Sequence, residues 1–222
     1  MKLLLYSGTK NASSWAMRAW LALKEQNLVF EERVVDIRRP QRFNNLAAIA
    51  KFSPPGAVPV LLADEHVIFD SLAIMEFASE IGTTRLMPEN VLERARARSM
   101  LAWQHSGFSQ ICPRLSFESA FYPDKRVLSD KEQKQIIFLF GVWEQQLRNS
   151  GGPYLFGALS LVDLNFVPAV LRLFRHDPSL SEFPLVASWG NTLLQRPAVQ
   201  EWLAEADVLE HVWYDDYLAP ES

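Results

Sequence analysis

The texture of the apolar pattern changes once along this chain, near Gly82, and that change constrains the fold more than any other feature. Up to Gly82 the period switches between about 2 and about 3.6 residues, and beyond it only the helical period recurs. KLLLYS reads as a strand. SSWAMRAWLALKEQ reads as a helix with Ala16, Ala19, Trp20 and Leu23 on one stripe. VFEERVVDI, rich in β-branched residues, is a second strand. Strand, helix, strand implies a right-handed crossover and a parallel pair. RRPQRFNNLAAIA is a short, irregular helical stretch, and VPVLLA and HVIFD are short strands split by a hairpin signal at Asp64-Glu65. SLAIMEFASEIG closes the unit, with Leu72, Met75, Phe77 or Ala78, and Ile81 at helical spacing. The order βαβ, then ββα, is a small sheet with helices on both faces.

After Gly82 the polar, proline-bearing stretch TTRLMPEN reads as a linker, and the remainder is helical. ERARARSMLAWQHSGFSQICPRLSF places Met100, Trp103 or Gln104, Gly107 or Phe108, Ile111 and Leu115 on one face. SDKEQKQIIFLFGVWEQQLRN is a second long helix, opened by Ser129 and Glu132 as a capping box. SLVDLNFVPAVLRLF, FPLVASWGNTLLQ and PAVQEWLAEA supply three more. The expected division is therefore an α/β domain over residues 1–81, a linker over 82–90 and an all-helical domain over 91–222.

Composition removes several classes of function. A net charge of -4, with no basic run, offers no field for phosphates, so nucleic acid is not an expected partner. The longest apolar run, IIFLFGVW, falls well short of the roughly 20 residues that span a bilayer. The N-terminus is too short in apolar residues for a signal peptide, and a single cysteine, Cys112, allows no intramolecular disulfide and fits a reducing cytoplasm. His66, His176 and His211 have no partners at metal-ligand spacing, so no metal is expected.

The chemistry concentrates between Val58 and Ser71. A proline that opens a sheet strand cannot donate to the ladder. If Val58-Pro59 is cis, the turn presents the Val58 N–H and C=O to an extended peptide lying alongside, as a neighbouring strand would. Twelve residues after Val58, Asp70 is a candidate N-cap. Ser71 and the first free amides of that helix can hold a carboxylate at its positive end, and Asp70 can pair with an ammonium. A ligand group that is both amine and carboxylate satisfies both. Taken singly, a turn proline and a helix cap are ordinary; together they describe a site for a small peptide-like anion.

SPPGAVPVL resembles the Asn-Pro-x-Gly-x-Val-Pro-x-Leu of the glutathione transferases, and FDSLAIMEF resembles their Glu-Ser-x-Ala-Ile-x-Glu-Tyr, with Ser53 for Asn and Asp70 for Glu. Ser160-Leu161-Val162-Asp163 resembles that family's Ser/Thr-x-x-Asp capping box, on a helix that Pro168 is expected to kink. The resemblance implies a thioredoxin-like N-terminal domain, an all-α C-terminal domain and a homodimer. Glutathione would be the co-substrate, its cysteinyl backbone antiparallel to Val58 beside Pro59 and its γ-glutamyl group at Asp70 and Ser71. Its glycyl carboxylate would meet a side chain after the second strand: spacing points to Asn44, charge to Arg42 or Lys51.

By the same resemblance the reacting thiol faces the N-terminus of the first helix, where Ser13 would donate to the sulfur and Ser14 is the fallback. As a residue, Ser13 is equally a helix cap, and both roles are compatible. Ser13-Ser14-Trp15 is similar to the zeta class, although Arg18 comes later than that motif has it. Tyr6 reads as core. With no cysteine at 13 or 14, thiol–disulfide exchange is disfavoured. The co-substrate pocket is expected between the Ser13 loop and the helix through Trp103, His105, Phe108, Arg114 and Phe117, with Arg114 suited to an acidic substrate. The reactions in view are conjugation, addition or isomerisation of a small electrophile. The competing reading is a glutathione-binding stress or scaffold protein with little turnover.

Overall fold

The computed structural model describes residues 1–107 and 113–218, so the expectations for Phe108, Ile111 and Cys112 fall outside the described residues. The chain divides into two units: Met1–Arg85 with Pro197–Val212, and Leu86–Arg196 with Trp213–Ser222.

In the first unit, β1 (Leu3–Gly8), α1 (Ser14–Glu25), β2 (Glu31–Val35), α2 (Gln41–Ile49), β3 (Val60–Ala63), β4 (His66–Phe69) and α3 (Ser71–Ile81) follow in the order the periodicity predicts. The sheet runs β2-β1-β3-β4, with β2 parallel to β1 and the other pairs antiparallel. The parallel pair spans α1, as the crossover argument requires, and Asp64 turns the β3–β4 hairpin with a φ of 51°. β2 is an edge strand and largely exposed, while β1 and β3 supply Leu5, Val60 and Leu61 to the core.

α1 carries more than the expected stripe: every residue from Ala16 to Leu23 is buried. The reason lies far along the chain. α3 packs on one side of α1, and α8 (Pro197–Ala206) packs on another, setting Trp202 against Trp20 edge to face with centroids 5.4 Å apart. The expected helical domain over 91–222 is therefore interrupted, because Pro197–Val212 belongs to the first unit. Tyr6 also departs from expectation. It is half-buried, its ring tilted against that of Phe52 with centroids 5.2 Å apart, and its hydroxyl accepts from Arg33 at 3.3 Å.

The second unit holds α4 (Val91–Gly107), α5 (Asp130–Ser150), α6 (Leu161–Phe174), α7 (Pro184–Leu194), a 3-10 turn at Glu118–Phe121 and the short α9 (Asp215–Leu218). It begins inside the expected linker, where buried Leu86 accepts from the Leu161 amide at 2.8 Å. The buried face of α4 is Ala97, Leu101 and Gln104, one residue round from the expected Met100 face. α5 opens with the predicted box: the Glu132 amide donates to Ser129 Oγ, and the Ser129 amide to Glu132 Oε2. α9 is held by Tyr217, 1% exposed, whose hydroxyl accepts from the Arg126 amide at 2.9 Å and meets His176 Nε2 at 3.1 Å.

α6 is the axis of this unit. All but two of its residues, from Leu161 to Leu173, are buried and it runs on through Pro168. Asp163, fully buried, accepts from the Ser160 amide at 2.9 Å and hydroxyl at 2.6 Å, from the Leu155 amide at 3.0 Å, and from Trp189 Nε1 at 2.9 Å. Burial pushes its carboxyl up, and these donors pull it back. Asp163→Ala strands them inside the core, so we expect a loss of about 3 kcal/mol or more, measurable by urea denaturation.

Candidate functional site

β1 ends at Gly8, and the chain needs a residue without Cβ there. A Cβ on Gly8 would lie 2.7 Å from Ser13 Cβ, 2.8 Å from Ser13 Oγ and 3.0 Å from Val58 Cγ2. Such distances are shorter than packed carbon atoms tolerate, so Ser13 and Val58 close over Gly8. The strand register gives the other neighbour. Val60 pairs with Tyr6 on one side and Phe69 on the other. Both ladders end at Val60, so Val58 lies two residues beyond them, across the cis bond to Pro59. Residues distant in sequence thus meet at one corner of the sheet.

Each member sits at a structural terminus. Ser13 is the N-cap of α1: its Oγ accepts from the Ala16 amide at 3.2 Å. The side chain is buried, and among the described residues no acceptor takes its hydroxyl hydrogen. Ser14 turns elsewhere, accepting from Arg18 Nη1 at 3.4 Å while the Arg18 guanidinium lies over Trp15 at 4.3 Å. Val58-Pro59 is cis, and among the described residues the Val58 amide and carbonyl take no backbone hydrogen bond. Asp70 caps α3, accepting from the Leu72 amide at 2.8 Å with a φ of 76°, and Ser71 behind it is buried. Both helix N-termini thus have capped, positively polarised first turns, where negative charge is favoured.

Asn44, Arg42 and Lys51 are all exposed, on α2 or just past it. The end of α2 is tied to the site loop through Gly56, whose φ of 56° suits glycine and whose Cβ would touch Ala50 Cβ at 3.0 Å.

Of the loop between β1 and α1 the sequence marked only its last residue, Ser13, yet Thr9 and Lys10 carry much of the unit's polar bonding. The Ala12 and Ser13 amides both donate to the Thr9 carbonyl, at 2.9 and 3.0 Å. Thr9 Oγ1 donates to Asp36 and accepts from the Ile37 amide. The hydrogen bond from Arg38, above all, holds the Asp36 carboxyl down at about 2. Lys10 is buried, its ammonium 2.8 and 2.9 Å from the two oxygens of Glu32, and it lies over the rings of Trp20 and Trp202 at 4.7 and 4.1 Å. A lysine and a glutamate 22 residues apart carry no local signal of pairing, which is why they escape a reading of the sequence.

The other candidates lie in the second unit. Trp103 is half-buried against Phe166 at 6.3 Å, and His105 is exposed on α4. Arg114 donates from Nε to the Asp216 carbonyl at 2.9 Å and from Nη2 to that of Tyr217 at 3.5 Å, so part of its guanidinium serves to hold α9. Phe117 packs edge to face on Phe121. Nearby, burial raises the Glu118 carboxyl. Among the described residues no helix is long and apolar enough to cross a membrane.

Comparisons with known proteins follow the same outline. The chain is 29% identical over 206 residues to a probable maleylacetoacetate isomerase of Vibrio cholerae, covering 89% of this chain and 94% of that protein. Two solved structures superpose along nearly its whole length. A glutathione transferase homolog from Burkholderia gl BGR1 with bound glutathione has a TM-score of 0.68 at 25% identity, covering 94% of this chain and all of the other. An epsilon-class glutathione S-transferase from the housefly, Musca domestica, has a TM-score of 0.74 at 26% identity, covering 92% and 94%. Residues 12–81 match the N-terminal domain of glutathione S-transferase and residues 114–206 its C-terminal domain, and the chain belongs to the glutathione transferase family.

Proposed function

We propose that this protein is a glutathione-dependent enzyme that favours the thiolate of glutathione and directs it at a small electrophilic carbon. The observation that carries the reading is the meeting of Ser13, with a hydroxyl hydrogen unclaimed among the described residues, with the cis Val58-Pro59 turn over Gly8. The cysteinyl backbone of glutathione pairs with the Val58 amide and carbonyl as an added strand. Its γ-glutamyl carboxylate takes the first amides of α3 and Ser71 Oγ, and its ammonium faces Asp70. The glycyl carboxylate reaches the side of α2, where Asn44, Arg42 and Lys51 are the candidates.

Ser13 then donates to the sulfur while its oxygen continues to accept from the Ala16 amide. A hydrogen bond to the charged form, at the positive end of α1, lowers the thiol below its ordinary value near 8.5. The enzyme contributes the ionised thiol and its orientation, and forms no covalent bond to substrate itself. Ser14, engaged by Arg18, is the weaker candidate.

The likeness to a maleylacetoacetate isomerase, together with the Ser13-Ser14 pair, favours isomerisation as a second outcome at the same site. A thiolate that adds to an electrophilic carbon and is later expelled leaves an isomer, and glutathione is regenerated. A homodimer is supported by exposed apolar side chains in each unit, Val67 and Phe69 on β4 and Ile137 and Phe138 on α5. The single cysteine supports a cytoplasmic setting.

Ser13→Ala should lower kcat with an aryl halide by about 10- to 100-fold, as befits one hydrogen bond to a charged group. The KM for glutathione should stay near wild type, and unchanged turnover would remove Ser13 from the mechanism. Ser71→Ala should weaken glutathione binding about tenfold. Calorimetry showing unaltered affinity would refute the placement of the γ-glutamyl group.

A further inference from the structure

The loop that ends in Ser13 is tethered to a segment nearly two hundred residues away. Trp202 Nε1 of α8 donates to the Lys10 carbonyl at 3.0 Å, and Asn11 Nδ2 donates to the Glu210 carbonyl at 2.9 Å. Lys24 pairs with Glu201 at 2.7 Å, so α8 is also fixed along α1. On its other side the loop is held by Glu32, which accepts from Ser7 Oγ at 2.5 Å, from Lys10 Nζ at 2.9 Å and from Trp20 Nε1 at 3.1 Å. Trp202, Lys10 and Asn11 are all buried. No atom of these residues bonds to Ser13. Their effect reaches it through the backbone of Thr9–Ala12, whose single turn is closed by the Ala12 and Ser13 amides on the Thr9 carbonyl.

We propose that Lys10, Asn11 and Trp202 are positioning residues for Ser13, and that the return of Pro197–Val212 to the first unit sets the distance between Ser13 Oγ and the glutathione sulfur. The proposal rests on the reading of Ser13 as the thiol's partner. A hydrogen bond to a charged acceptor weakens steeply with length and angle. The loop has no regular secondary structure of its own to hold that geometry. Clamping it between Glu32 and α8 restricts Ser13 to one position before glutathione arrives, and the γ-glutamyl and cysteinyl contacts at Ser71 and Val58 are untouched by the clamp. The signature is therefore separable: loosening the clamp raises the pKa of the bound thiol and leaves glutathione binding in place.

Trp202→Phe removes the indole N–H and keeps an aromatic ring beside Lys10 and Trp20. The measurement is the pH profile of kcat/KM with an aryl halide, together with ultraviolet titration of the thiolate in the glutathione complex. We expect the acid limb to move to higher pH, lowering kcat/KM about three- to tenfold at pH 6, with the KM for glutathione near wild type. Asn11→Ala, which cuts the second tether, should move the limb in the same direction and serves if Trp202→Phe does not fold. A wild-type thiolate that neither variant shifts, or a fall in activity with the limb unmoved, overturns the positioning role alone. A wild-type complex with neither thiolate nor turnover overturns the proposed function and the positioning role together.

Discussion

The ion pair between Lys10 and Glu32, shut between the indoles of Trp20 and Trp202, is the point on which the first unit depends. A pair taken out of water recovers its lost hydration only when the remaining hydrogen-bonding capacity is used. Here it is used: Glu32 also receives Ser7 and Trp20, so one carboxylate joins the end of β1, the loop, α1 and β2. Apolar side chains of the same volume would serve stability as well or better. What they would lack is direction. A charged, multiply bonded centre has directed partners, and together with the Trp202 and Asn11 tethers it holds the loop before α1 in one place.

The site follows from ordinary geometry once the loop is held. Two helices begin shortly after their preceding strands, and both start with capped, positively polarised turns at Ser13 and Asp70. Antiparallel pairing puts the cis Val58-Pro59 turn at the start of β3, where Val58 and Ser13 close over Gly8. Nothing at this corner is chemically unusual. Its character comes from placing a hydroxyl donor at a helix terminus beside the backbone groups of Val58.

Much of this was legible in the residues. The order of strands and helices, the capping box at Ser129, Asp70 as N-cap and Val58 beside a strand-opening proline all depend on neighbours within a few positions, where periodicity and cap chemistry act. The misreadings share one cause, which is contact over long separations. The stripe on α1 became burial all round because α8 returns to cover it. Tyr6, read as core, lies half-exposed beside an edge strand. Arg114 spends two donors on carbonyls of α9, more than one hundred residues on, a pairing that no local pattern announces. Gly8 gave no sign of its importance, since a glycine at a strand end is unremarkable until the atoms above it are known.

The sequence by itself determined the two textures of the chain, the caps that open α3, α5 and α6, and the candidate residues Ser13, Val58, Asp70 and Ser71. Tertiary structure alone decided that Ser13 and Val58 meet over Gly8, because register between strands and the packing of α8 on α1 are choices among many distant partners that no local pattern encodes. It also decided which lysine is buried against which glutamate. Hydrophobic period and capping act within a turn or two of chain, whereas burial of charge and closure of a site are settled only when separate elements exclude water together.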